Sequence, residues 1–189
     1  WPAQNFWTRR DPSRSYIATE TKRKKTVSDD RSKYMEMAHN FIADGQNQKA
    51  MDIFSQLAAT NPLDMEALHF LANLQNKLHM RTEAAETFFR LGMALNQTGH
   101  QLRAVSAFNT VLKLEPDTID ANVQLANIYL EMAMGEDAKP HLEKLAAYHE
   151  AQGSTQELLN IYQRLVEIDP SNVASRIKLG EQYSAYQMA

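Results

Sequence analysis

The stretch KLEPDTIDANVQLANIYLEM, Lys113 to Met132, joins two helical phrases through one proline. The first phrase stops at Leu114-Glu115-Pro116-Asp117, because proline cannot continue a helix. An apolar pattern then restarts at Val123, Leu125, Ala126, Tyr129 and Leu130. The same phrase recurs in ATNPLDMEALHFLANLQNKL and EIDPSNVASRIKLGEQYSAY. Their prolines, Pro62 and Pro170, flank Pro116 symmetrically, at a 54-residue spacing on either side. Shifted by that spacing, the chain overlays itself. Ala67, Leu71, Ala72 and Asn73 fall on Ala121, Leu125, Ala126 and Asn127, Ala84 falls on Ala138, and Leu91 on Leu145. Gly45, Gly99 and Gly153 coincide, as do Phe54, Phe108 and Tyr162.

Within each unit the apolar spacing is helical. Tyr34, Met37, Ala38 and Phe41 recur at i, i+3, i+4 and i+7, which predicts one buried face, and Ala50, Ile53, Phe54 and Leu57 repeat the pattern. Asp-Gly, Thr-Gly and Gln-Gly mark helix ends, where glycine takes the left-handed position. The spacing predicts nine helices, at 31–44, 47–61, 65–78, 82–98, 101–115, 119–132, 136–152, 155–169 and 173–187. Pro140 is expected in the first turn of the seventh, where a missing N–H costs no helical bond.

This set of positions resembles the tetratricopeptide repeat: a large residue, Leu-Ala or Leu-Gly, an aromatic, a small residue, another aromatic and a closing proline. The first copy reads Tyr34, Met37-Ala38, Phe41, Ala50, Phe54, Leu57, Pro62, and a later one reads Phe88, Leu91-Gly92, Leu95, Ala104, Phe108, Pro116. The resemblance covers residues 31–189 and implies an all-α, right-handed α-solenoid of about nine antiparallel helices. Phe88 and Leu91 close one repeat and open the next, as do Leu142 and Leu145. Repeats that overlap in this way give the chain its 54-residue period, which is three helices. Antiparallel neighbours would then put successive proline turns on opposite edges. The small residues Ala38, Ala72, Gly92, Ala126, Ala146 and Gly180 are expected to admit close backbone approach.

Residues 1–30 stand outside this scheme, as a basic, aromatic-containing extension preceding the repeat domain at 31–189. They hold seven basic residues against four acidic ones, on a chain of net charge −3. Trp1, Phe6, Trp7, Arg9, Arg10, Tyr16, Lys22, Arg23, Lys24 and Lys25 are the expected docking residues, and Val27 to Asp30 reads as a cap for the first helix. A polar, mixed-charge segment of this kind has no core of its own and needs a surface to lie on.

With no cysteine in the chain, a disulfide framework and a thiolate metal site are excluded. The six histidines carry no metal-ligand spacing, and no phosphate loop or nucleophile elbow is present. No catalytic residue, metal or cofactor is expected. No apolar run reaches the roughly 20 residues that span a bilayer. A cytoplasmic site is favoured, with the periplasm open if a leader has been removed.

In the family, the first helix of each pair lines a concave surface. The resemblance assigns to it Met35, His39 and Ile42; Glu66, His69, Asn73 and Asn76; Phe89, Arg90 and Met93; Val123, Asn127 and Leu130; and Ile177 and Glu181. Asn73 and Asn127 stand where an asparagine often bonds a bound peptide's backbone, donating and accepting at once. A solvated amide, or one bonded to the adjacent helix, is the alternative. His69 and Val123 occupy positions where a carboxylate clamp would want lysine, so chaperone-tail recognition is not expected. The reading is a non-catalytic adaptor or scaffold. It would bind a partner segment, peptide or helix, in the groove and dock through its tail within a larger assembly, by analogy a bacterial motility, envelope or secretion machine. The alternative is a nucleic-acid- or ribosome-associated factor working through the basic arm.

Overall fold

The computed structural model describes residues 30–187, and the tail residues from Trp1 to Lys25, with the proposed cap at Val27 to Asp29, lie outside them. The described residues form nine helices and no strand. These are α1 (30–43), α2 (Asn47–Thr60), α3 (Met65–Lys77), α4 (Arg81–Gln97), α5 (Gln101–Leu114), α6 (Ile119–Glu131), α7 (Gly135–Gln152), α8 (Thr155–Ile168) and α9 (Val173–Gln187). Each boundary falls at, or immediately beside, the sequence expectation.

The chain divides into two compact units, Trp1–Leu57 and Ala58–Ala189. In the first, Ala38, Ala50 and Phe54 are fully buried. Lys49 lies over the ring of Phe41, 5.4 Å from its centroid. The expected core face of α1 needs correction. Tyr34 and Met37 are 43% and 40% exposed, while Met35, assigned to the groove, is 6% exposed. Met35 stands at i−3 from Ala38 and shares its face of the helix, so the packing that closes over Ala38 takes Met35 too.

The second unit is an α-solenoid in which each helix from α3 to α9 packs on the next. Its neighbours run antiparallel. Thr98, at the end of α4, reaches the sulfur of Met65, at the start of α3, at 3.6 Å. Gln101, opening α5, donates to Glu131, closing α6. The Lys139 ammonium, near the start of α7, lies 3.7 Å from Asp169, just after α8. Three antiparallel helices per period place the Pro62 and Pro170 turns on one edge and the Pro116 turn on the other. On that second edge Arg81, opening α4, donates to the carbonyls of Lys113 and Leu114 and so caps α5.

The small residues act as expected where a neighbour exists. A Cβ on Gly92 would stand 2.8 Å from the ring of Phe108, a side chain that is itself fully buried. Ala72, Ala126 and Ala146 are buried. Gly180 is exposed, with nothing within 4 Å of a Cβ built there. Pro140 is the sixth residue of α7, past the first turn where it was expected. The carbonyl of Glu136, an exposed residue, therefore lacks its helical donor.

Five turns use one terminating device. Gly45, Gly99 and Gly153 have positive φ, and so do His79 (φ 61°) and Ala133 (φ 57°). At Gly99 the amide donates to Asn96 and the next amide, His100, to Leu95. The same pair of bonds closes α1, α3, α6 and α7, which is a Schellman cap in each case. The proline turns are shaped differently. Asp64 and Asn172, counterparts two periods apart, accept from Ala67 and Ser175 and open α3 and α9, both at 3.1 Å.

Candidate functional site

A hollow of about 320 Å³ opens over α3, α4 and α5. Phe88, Leu91 and Leu95 of α4, with Ala107 of α5, give it an apolar floor. Its polar rim comes from His69, Asn73 and Asn76 on α3 and from Arg103, Ser106 and Thr110 on α5. Successive turns of α3 bring His69, Asn73 and Asn76 to one face, at i, i+4 and i+7. The Asn73 amide nitrogen donates to the His69 carbonyl at 2.8 Å and lies 3.1 Å from His69 Nε2. The amide nitrogen is thereby turned back toward its own helix. Thr110 Oγ1 is turned back to the Ser106 carbonyl. The lining contains no carboxylate, and Arg103 gives it a positive charge.

The other residues assigned to the groove are elsewhere. Phe89 meets Phe108 edge-on, with ring centroids 5.3 Å apart. Arg90 donates to the Ala58 carbonyl at 3.3 Å, and Met93 is exposed. Asn127 accepts from Arg164 of α8 at 2.9 Å, so its amide oxygen serves a second-neighbour helix. Val123 and Leu130 are half-buried against the cluster that holds Leu142 and Leu158. Ile177 is exposed on α9, and Glu181 lies 3.9 Å from Lys178. In the first unit, His39 is exposed and packs edge-on against Phe54, while Met35 is buried.

A period of three explains this scatter. Second-neighbour contacts join α6 to α8 through Asn127 and Arg164, and α7 to α9 through Glu150 and Lys178, 3.1 Å apart. Odd-numbered and even-numbered helices thus form separate layers. A position carried forward by one period moves three helices along and changes layer. His69, Asn73 and Asn76 belong to the odd layer, Arg90 and Asn127 to the even one.

Sequence reasoning missed a buried polar contact. Asn122 is 1% exposed, and its amide nitrogen donates to the Thr118 carbonyl. Its Oδ1 must therefore accept, and His141 Nδ1–H donates to it at 3.0 Å. The imidazole stacks on Tyr129 at 5.8 Å. Burial lowers the His141 pKa from its usual value, and Lys144 lowers it further. Asn122 stands among Ala121, Leu125 and Ala126 in the core register, a signal that could have flagged it. Similarly, the Tyr162 hydroxyl donates to Glu150 at 2.9 Å, and burial followed by that carboxylate raises its pKa to about 12.

Among the described residues no helix is long and apolar enough to cross a membrane, and no cluster of three metal-ligating side chains occurs. Residues 85–118 match the family model described as tetratricopeptide repeat. No curated protein matches the sequence. Among solved structures, the crystal structure of MamA protein is 18% identical, aligned over 82% of this chain and 92% of that one, with a TM-score of 0.42. A thermophilic TPR protein from Thermus thermophilus is 19% identical over 81% of this chain and 98% of its own, with a TM-score of 0.29. A tetratricopeptide repeat protein from Parabacteroides merdae is 16% identical over 81% and 72%, with a TM-score of 0.30.

Proposed function

From a chain that carries the tetratricopeptide repeat, a fold that serves protein–protein interaction, we propose a non-catalytic adaptor that holds an extended partner segment in the hollow over α3, α4 and α5. One observation carries the reading: an apolar floor of Phe88, Leu91 and Leu95 is rimmed by amide, hydroxyl and Arg103 groups with no carboxylate among them. Such a rim suits a backbone that needs donors and acceptors, and an apolar side chain beside an acidic one. Arg103 would take the carboxylate, Asn73 Oδ1 a backbone N–H, and the floor the apolar side chain. The extension from Trp1 to Lys25 would supply a second contact within a larger assembly.

The test is a peptide array of short apolar segments, each made with an acidic, a neutral and a basic flank, read by fluorescence anisotropy. Acidic-flanked peptides should bind best, and Arg103→Glu should weaken them about tenfold or more while leaving helicity intact. Asn76→Ala should weaken all peptides alike. Equal binding by the three flank series would end the reading. Removing residues 1–29 should leave peptide affinity unchanged and reduce recovery of the assembly.

A further inference from the structure

The positions that surround the hollow over α3, α4 and α5 recur one 54-residue period later, on α6, α7 and α8. These three helices lie inside the packed series, between α5 and α9. Leu142 and Leu145 stand for Phe88 and Leu91 of the floor and are buried in one cluster. A period of three helices moves the rim to the even layer and the floor to the odd one, so the counterpart faces the other way.

Three replacements set the two apart. At the rim Glu157 takes the place of Arg103, which reverses the sign of the charge there. In the floor His149 takes the place of Leu95, and among the described residues its Nδ1 is buried with no hydrogen-bond partner. On α8 Arg164 takes the place of Thr110. Thr110 turns back to Ser106 of its own helix at 3.0 Å. Arg164 instead crosses to α6 and donates to Asn127, the counterpart of Asn73, at 2.9 Å. Its guanidinium bridges a rim that stays open in the first hollow. Such a bridge exchanges readily, because it is exposed and its acceptor is a neutral amide. A carboxylate offers a charged acceptor and two parallel bonds, so an incoming acid draws Arg164 away from Asn127.

Glu157 and Arg164 are both exposed and lie seven residues apart on one face of α8, about 10 Å along its axis. A segment in the polyproline II form advances about 9 Å in three residues and then presents the same face again. We propose that the rim of α6 and α8 is a second binding site, held shut by Arg164, for an extended segment whose acidic and basic residues stand three apart. The acid takes Arg164 and the base takes Glu157. A residue between them, turned a third of a circle away, sets an apolar side chain toward Leu142 and Leu145. A polar group of the guest beside it satisfies His149 Nδ1. The proposal rests on the reading of the first hollow for what a floor and rim of this kind hold. It gives the adaptor two guests of different charge pattern, one on each layer.

The experiment titrates the full chain into labelled peptides of one composition, read by fluorescence anisotropy. They carry one acid and one base around apolar residues, either three apart in each order or adjacent. One order of the three-apart pair should bind about tenfold or more tighter than the adjacent pair. Exchanging the two charges, Glu157→Arg with Arg164→Glu, should pass that preference to the opposite order with the circular dichroism spectrum unchanged. Arg103→Glu, in the first hollow, should leave this binding as it was. In nitrogen-15 correlation spectra the side-chain amide of Asn127 should shift on titration while that of Asn73 stays. Equal binding at both spacings, a charge exchange that leaves the preferred order in place, or a shift at Asn73 instead of Asn127 would each overturn the proposal. The acidic-flanked peptides report on the first hollow through Arg103, so a failure of one reading is told apart from a failure of the other.

Discussion

Ala133 offers a measurement of backbone strain with little else changed. It caps α6 at φ 57°, in the left-handed region, where Gly45, Gly99 and Gly153 serve in other turns. Placing an L-residue there costs about 1–2 kcal/mol. Ala133→Gly removes that cost and frees the unfolded chain, which returns about 0.4–1 kcal/mol of the gain. The net expectation is a stabilisation of about 1 kcal/mol, or roughly 2–4 °C in Tm for a chain of this size. No packing is lost, since Ala133 is exposed. The reciprocal change, Gly99→Ala, should destabilise by a similar amount for torsional reasons alone, because a Cβ at Gly99 meets nothing within 4 Å. The assay is thermal unfolding by far-ultraviolet circular dichroism, repeated in guanidinium. If Ala133→Gly leaves the protein unchanged or weaker while Gly99→Ala weakens it, the cap at 133 is not strained and the equivalence of the five turns fails.

Packing and burial set three further outcomes. Gly92→Ala should cost about 1–3 kcal/mol, because its methyl would stand 2.8 Å from the Phe108 ring, whereas Gly180→Ala should gain roughly 1 kcal/mol from helix propensity; chemical denaturation compares them. Burial depresses the His141 pKa, so the unfolded chain binds the extra proton. The stability from neutral His141 is present above about pH 6.5 and is lost as pH falls below it; His141→Gln should flatten that part of the Tm–pH curve, and an unaltered slope would contradict the burial argument. Ala126→Leu should overpack the interface with α7 and cost about 1–3 kcal/mol in the same denaturation assay.

Local chemistry wrote the helices. A proline after Glu115, a glycine after Thr98 and apolar residues at helical spacing act over one or two turns, so all nine segments and the 54-residue period were legible in the chain. The cap positions at His79 and Ala133 were not, because neither residue advertises a left-handed conformation. They appear only when the hydrogen bonds closing α3 and α6 are traced. The candidate site was legible on one face alone. His69, Asn73 and Asn76 line the hollow together, but Arg103, Ser106 and Thr110 come from α5, to which the resemblance assigns no groove residue. Asn127 went instead to Arg164. The reason is parity: periodicity says which side of a helix is apolar, while the layer a helix occupies depends on how many antiparallel helices precede it. With three per period, equivalent side chains look out from opposite faces, and only the packed structure shows which.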